Sequence, residues 1–170
     1  MHEQVVINSI EFARNGETLS GSVAVEDLGR LRDLLFSGEG KLDYILTGRR
    51  GENGKLFLKC AAKGMLLLKC QRCLDVLSYP VSFESDLELI EDGQEATGVV
   101  HEDELTDAVK ADPNMDVLAL VEEEVLLGLP MAPMHAPEDC KADRNLGQTK
   151  LDEQHVFSAL AALKTQDHRN

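Results

Sequence analysis

The alternation of apolar and polar residues predicts that the first half of the chain is mostly β-strand. Apolar residues recur with a period of two from Thr18 to Val25, and most clearly from Leu77 to Ile90, which is typical of strands with one buried face. Further strand candidates lie at residues 41–47, 55–62 and 65–69, after a short apolar start at residues 5–7. Gly51, Asn53, Gly54 and Gly64 supply turn residues between these candidates.

Three segments have helical spacing instead. Residues 26–36 place four leucines at intervals of three and four, and Ser37-Gly38 provides a stop. Asp116 can cap a second helix that ends at Gly128 and Pro130, with Glu122 and Glu123 turned largely to solvent. The apolar stripe of that helix is Val117, Leu118, Val121 and Val125. Residues 152–164 form the third candidate, a short amphipathic helix.

The order of these elements predicts an α+β fold with a mostly antiparallel sheet of about five strands. Residues 1–90 are expected to form a strand-rich core with one short helix, and residues 91–114 an acidic flexible loop. Residues 115–140 then carry a helix and an Leu-Pro-x-x-Pro-x-His-x4-Cys segment on the same domain. Residues 141–170 are expected to be a linker and the short C-terminal helix.

Length and composition limit the class of protein. A chain of 170 residues with 43% apolar content suits one buried core, and it contains no apolar run near the roughly 20 residues that a transmembrane helix needs. With no signal-like start and only four cysteines, we expect a cytoplasmic protein with reduced thiols or a metal site. The sequence does not indicate an oligomeric state.

The formal net charge of −14 is unevenly distributed, since residues 74–140 carry 18 acidic side chains and a single lysine. We expect an acidic face that attracts basic partners, or one that is simply solvated. Its candidate residues are Glu84, Asp86, Glu88, Glu91, Asp92, Glu102, Asp103 and Glu104. A basic strip is either the solvent-exposed side of a sheet or a surface that binds phosphate groups. It comprises Arg49, Arg50, Lys55, Lys59, Lys63, Lys69 and Arg72.

Four separated residues form a candidate metal site. Cys70 and Cys73 are spaced as a Cys-x-x-Cys pair, and His135 and Cys140 follow far downstream. Three thiolates and an imidazole suit one structural zinc, whereas the alternative is that the cysteines are small packing groups of the core. Cys60 alternates with Leu56, Leu58 and Ala62 and is assigned to the core.

Three motifs together resemble the YceD family, which is described as large ribosomal RNA subunit accumulation proteins. They are Cys70-Gln-Arg-Cys73-Leu74, the segment from Val117 to Leu127, and Leu129-Pro130-Met131-Ala132-Pro133-Met134-His135 followed by Glu138-Asp139-Cys140. The resemblance covers about residues 66–140, with a weaker echo at 156–164. It implies a bacterial factor for the synthesis, processing or stability of 23S ribosomal RNA, with no catalytic residues to carry over.

Three functions are therefore compared. A non-enzymatic ribosome-biogenesis factor agrees with the resemblance and with the acidic charge. The resemblance implies that the acidic face binds basic ribosomal or RNA-processing proteins, and that the basic strip is a candidate contact for pre-ribosomal RNA. A metal-dependent RNA hydrolase is disfavoured because three cysteines and a histidine form the closed ligand set of structural sites. A thiol-redox protein is disfavoured because Cys70 and Cys73 lie between strand candidates, without the helix N-terminus that lowers a thiol pKa.

Overall fold

The computed structural model describes residues 5–52, 54–91 and 107–141. Two helices and eight strands are present in that part of the chain. The helices are α1 (Ser9–Asn15) and α2 (Val117–Gly128). The strands are β1 (Val6–Ile7), β2 (Thr18–Ala24), β3 (Leu35–Ser37), β4 (Lys41–Arg50), β5 (Leu56–Lys69), β6 (Val76–Ile90), β7 (Asp107–Lys110) and β8 (Met115–Asp116).

A six-stranded sheet organises the fold, and it confirms the predicted α+β class. Its strand order is β2-β4-β5-β6-β7, and β3 pairs with β5 beyond the end of β4. All of these pairings are antiparallel except β6 with β7, which is parallel. The two short strands β1 and β8 pair separately, and they bring the start of the chain beside α2.

The hydrophobic core lies on one face of the sheet, as the period of two predicts. On β5 the even-numbered residues Leu58, Cys60, Leu66 and Leu68 are fully buried, while odd-numbered residues such as Met65 face outward. Residues of α1 and α2 complete the same core. The assignment of Cys60 to the core is confirmed.

Strand β5 is longer than the sequence predicted. Gly64 was expected to be a turn between two strands, but it lies within one continuous strand and pairs with Leu42 and Val81. A Cβ at Gly64 would collide with Leu42 and with the carbonyl oxygen of Lys41. This glycine therefore permits close approach of two strands instead of reversing the chain.

The predicted helix over residues 26–36 is wrong. The segment forms two single 3-10 turns, Val25–Asp27 and Gly29–Leu31, and then enters β3. Gly29 disfavours a continuous helix, and Leu35 is buried by pairing with Leu68 of β5. The leucines do reach the core, although through turns and a strand rather than through one helical face.

Helix α1 was not predicted, although its end signals are present in the sequence. The Asn8 side chain accepts a hydrogen bond from the backbone N–H of Glu11, and Gly16 ends the helix with a φ of 66°. Helix α1 has only seven residues, which is too short for a clear apolar stripe in the sequence. The capping residues at its two ends, rather than its apolar periodicity, were the sequence signal from which this helix could have been predicted.

Two other predictions concern the second half. Strand β7 lies in the segment 91–114 that was expected to be a loop, while residues 92–106 lie outside the described part. The candidate helix at 152–164 also lies outside it. None of the helices in the described part is long and apolar enough to span a bilayer.

The chain divides into a larger compact unit, residues 1–134, and a smaller one, residues 135–170. In the described part of the smaller unit, the backbone N–H groups of Asp139 and Cys140 donate to the carbonyl oxygen of Ala136, at 3.0 and 3.1 Å. This turn fixes the backbone around Cys140. The boundaries predicted at residues 90, 114 and 140 stay predictions.

Candidate metal centre and charged sheet face

The connection between β5 and β6 presents the Cys70–Cys73 pair on a tight turn. The backbone N–H of Cys70 donates to the carbonyl of Asp75 at 3.0 Å, and that of Leu74 donates back to Cys70 at 2.9 Å. Leu74 adopts a φ of 61°, a left-handed conformation that costs a leucine roughly 1 kcal/mol. This strained conformation allows the backbone to reverse direction within four residues.

A second segment lies against this turn. The backbone N–H of Gln71 donates to the carbonyl oxygen of Pro133 at 2.9 Å, which joins the turn to the chain that follows α2. Helix α2 ends at Gly128, and the following residues form neither helix nor strand, with bends at Leu129, Met131 and Ala132. An irregular segment therefore connects the end of α2 to His135.

The structure brings together the four predicted ligands. One ligand atom from each of Cys70, Cys73, His135 and Cys140 lies within 4.8 Å of the others. Cys70 and Cys140 are fully buried, whereas Cys73 and His135 are partly exposed. No disulfide joins any of the chain's cysteines. Three sulfur donors and one imidazole at this spacing can hold a metal ion.

Cys60 does not belong to this cluster and has a different chemistry. Burial, and secondarily the negative charge of Glu124, raises the pKa of its thiol to about 12. A thiol of that pKa is protonated near neutral pH and is a poor nucleophile there, and Cys60 does not lie among the four clustered ligand atoms. Only the cysteines of the cluster are therefore suited to binding a metal.

Part of the predicted basic strip and part of the predicted acidic face lie on the same, outward side of the sheet. Arg50 instead has the parity of the core-facing residues of β4, and Arg72 is exposed in the turn that follows β5. Three cross-strand ion pairs join the strip to the acidic face. The pairs are Arg49 Nε to Asp86 Oδ1 at 2.9 Å, Lys55 Nζ to Glu88 Oε1 at 2.7 Å, and Lys59 Nζ to Glu84 Oε1 at 2.7 Å. The Glu84 hydrogen bond also raises the pKa of Lys59. Charges that were assigned to a separate acidic face and basic strip thus neutralise one another locally.

The other residues of the predicted basic strip and acidic face do not take part in these three ion pairs. Arg49 also stacks over the ring of Phe57, with its guanidinium carbon 4.3 Å from the ring centroid. Arg50 and Lys63 are exposed, Lys69 is partly exposed, and none of these three makes an ion pair within the described part of the chain. Glu91 is exposed at the end of β6. Asp92, Glu102, Asp103 and Glu104 lie outside the described residues.

Sequence reasoning missed two buried glutamates on α2. Glu122, expected to face solvent, is only 8% exposed, and its Oε1 accepts hydrogen bonds from the backbone N–H groups of Arg30 and Leu31 at 2.6 and 3.2 Å. Glu124 is equally buried and accepts a bond from the Ser85 hydroxyl at 2.5 Å. Both carboxylates bind other elements of the fold, which periodicity alone does not reveal.

Comparison with known proteins bears on the same residues. No solved structure matches the chain. The family profile described as "Large ribosomal RNA subunit accumulation protein YceD" matches residues 58–164. That range begins in β5, includes the Cys70–Cys73 turn and α2, and contains all four residues of the cluster. The chain therefore belongs to the YceD family.

Proposed function

We propose that this protein is a non-enzymatic ribosome-biogenesis factor that supports the synthesis, processing or stability of 23S ribosomal RNA. The observation that carries the proposal is the match to the YceD family over residues 58–164, since the family is named for accumulation of the large-subunit RNA. The cluster of Cys70, Cys73, His135 and Cys140 supports a structural role for the matched region, because a closed set of four protein ligands leaves no open position for a substrate.

The proposed partners are ribosomal or RNA-processing proteins with basic surfaces. The three cross-strand ion pairs cancel in charge, so they leave the net charge of −14 unchanged. A polyanion of this size attracts cationic proteins and repels phosphate backbones, most strongly at low ionic strength. If pre-ribosomal RNA is contacted as well, the cations proposed for it are Arg50, Lys63 and Lys69, because they have no ion pair in the described residues.

The partner proposal is tested by affinity capture of the tagged full-length protein at low and at physiological salt. We expect basic ribosomal or processing proteins to be recovered, with recovery falling as salt rises because the attraction is screened. An unrelated protein of similar net charge, captured in parallel, controls for non-specific attraction. Failure to recover ribosomal proteins, processing factors or pre-ribosomal RNA at either salt concentration would remove this proposal.

We further propose that the cluster binds one structural zinc ion, since thiolate and imidazole ligands suit zinc. Native mass spectrometry of the full-length protein should show one equivalent of zinc. Cys73→Ser should lose the metal, and its thermal unfolding midpoint should fall to that of the chelator-treated protein. Cys60→Ala is the matched control and should retain zinc, because Cys60 is buried outside the cluster. Zinc retained by Cys73→Ser would contradict the assignment.

A further inference from the structure

Strand β2 forms one edge of the six-stranded sheet, and its hydrogen-bonding parity can be established. Just before the strand, the N–H of Gly48 donates to the carbonyl of Glu17 at 2.8 Å, and just after it the N–H of Val25 donates to Gly40 at 3.0 Å. Both bonds belong to the register that continues through the β2–β4 pair. Because hydrogen-bonded pairs alternate in an antiparallel ladder, the odd-numbered residues of β2 bond to β4.

The even-numbered residues of β2 therefore direct their backbone groups away from the sheet. Thr18, Ser20 and Ser22 each present an N–H and a C=O at the open edge, and all three residues are exposed. Within the described part of the chain, none of these backbone groups has a hydrogen-bond partner. The edge thus offers three regularly spaced donor and acceptor pairs along a seven-residue strand.

The opposite edge of the sheet, formed by β6 and β7, differs from the β2 edge in how it is protected against a further strand. There, β7 covers only residues 87–90 of β6. The rest of that edge carries Pro80, which has no N–H to offer, together with the charged side chains of Glu84 and Asp86. Proline and charge are the usual protection of an edge against a further strand. By contrast, β2 contains neither a proline nor a charged residue from Thr18 to Ala24.

Charge distinguishes between the strands that could add to this edge. A second copy of the chain would bring another net charge of −14 and would be repelled. The acidic side chains of Glu17 and Glu26 flank the two ends of β2, and both are exposed. On the neighbouring strand, Lys41 and Asp43 balance each other in charge. An extended segment with basic residues therefore complements the edge better than a second copy does.

We propose that the β2 edge binds an extended, basic segment of a partner protein by adding it as a further strand of the sheet. This inference rests on the proposed function, because it specifies how a basic ribosomal or processing protein is held. Backbone hydrogen bonds from Thr18, Ser20 and Ser22 supply the attachment, and the flanking acids select for a cationic segment.

The test uses the full-length protein and two ten-residue peptides, one alternating lysine with valine and one alternating glutamate with valine. We expect the lysine peptide to bind and to slow amide hydrogen exchange at Thr18, Ser20 and Ser22, and the glutamate peptide not to bind. Ser20→Pro removes an outward N–H without removing a β2–β4 bond, and should weaken binding about tenfold or more. Ser20→Ala keeps the N–H and should bind within about twofold of the wild type.

Circular dichroism identifies a variant that fails to fold, in which case Ser22→Pro replaces Ser20→Pro. Lysine-peptide binding that is equal in the folded proline variant, or that leaves the three edge amides unprotected, would overturn the inference. A dimer that is abolished by the proline substitution would assign the edge to a second copy and would also overturn it. If Ser20→Pro still captures basic ribosomal proteins from cells, the edge inference fails while the proposed function stands.

Discussion

At the scale of single residues, chemically identical side chains have very different roles because their surroundings differ. Cys60 is fully buried beside α2 and its thiol pKa is raised to about 12, whereas Cys70, Cys73 and Cys140 converge with His135. The Cys-x-x-Cys spacing and the downstream His and Cys were sufficient to predict the cluster. The apolar alternation around Cys60 was sufficient to exclude it. The assignment of Cys60 depended on local alternation, whereas the cluster was predicted from the metal-binding chemistry of four residues that are distant in sequence.

The raised pKa of Cys60 predicts how stability depends on alkaline pH. The folded-state pKa of about 12 exceeds the ordinary value of 9.0, so the folded protein holds a proton that the unfolded chain releases. This contribution to stability is complete below pH 9 and is lost as pH rises toward 12, with a slope of at most about 1.4 kcal/mol per pH unit.

Urea unfolding at a series of pH values measures this dependence, with Cys60→Ala as the comparison. The variant should start less stable by about 1 kcal/mol and should then lose stability more slowly with pH. The remaining slope includes Tyr44, whose pKa burial also raises. Parallel curves for the two proteins between pH 9 and pH 12 would show that Cys60 does not titrate differently on folding.

At the scale of elements, the sequence predicted strands better than it predicted the segments between them. Strands β2, β4 and β6 follow an alternation that directly reports burial on one face of the sheet. The leucines of residues 26–36 have helical spacing, but pairing of β3 with β5 and the helix-disfavouring Gly29 determine a different structure. Such long-range pairing has no signature in local periodicity.

The buried Glu122 carboxylate shows how α2 is tied to the 3-10 turn at residues 29–31. Glu122→Ala should lower the free energy of unfolding by about 2 kcal/mol, because it leaves the N–H groups of Arg30 and Leu31 without their acceptor. Glu123→Ala is the neighbouring control and should cost less than about 0.5 kcal/mol, since its 3.8 Å contact with Arg30 is solvent-exposed. Equal losses in the two variants, measured by denaturant unfolding, would refute this role for Glu122.

At the scale of the whole molecule, the distribution of charge along the chain did not predict how the charged side chains are arranged on the sheet. The basic strip and the acidic residues of β6 were expected to form separate surfaces, yet Arg49, Lys55 and Lys59 pair with those acids across strands. Counting charges along the chain cannot reveal this, because the pairs depend on the register of β4, β5 and β6. The excess negative charge remains, and together with family membership it is the basis of the proposed role beside basic ribosomal components.

The most direct test of that role is the ratio of 23S to 16S ribosomal RNA in cells from which this protein has been removed. We expect the ratio to fall, and to return to its normal value when the intact chain is supplied again. The same measurement with an unrelated acidic protein should give no recovery. An unchanged ratio together with normal amounts of the large ribosomal subunit would contradict the proposed function.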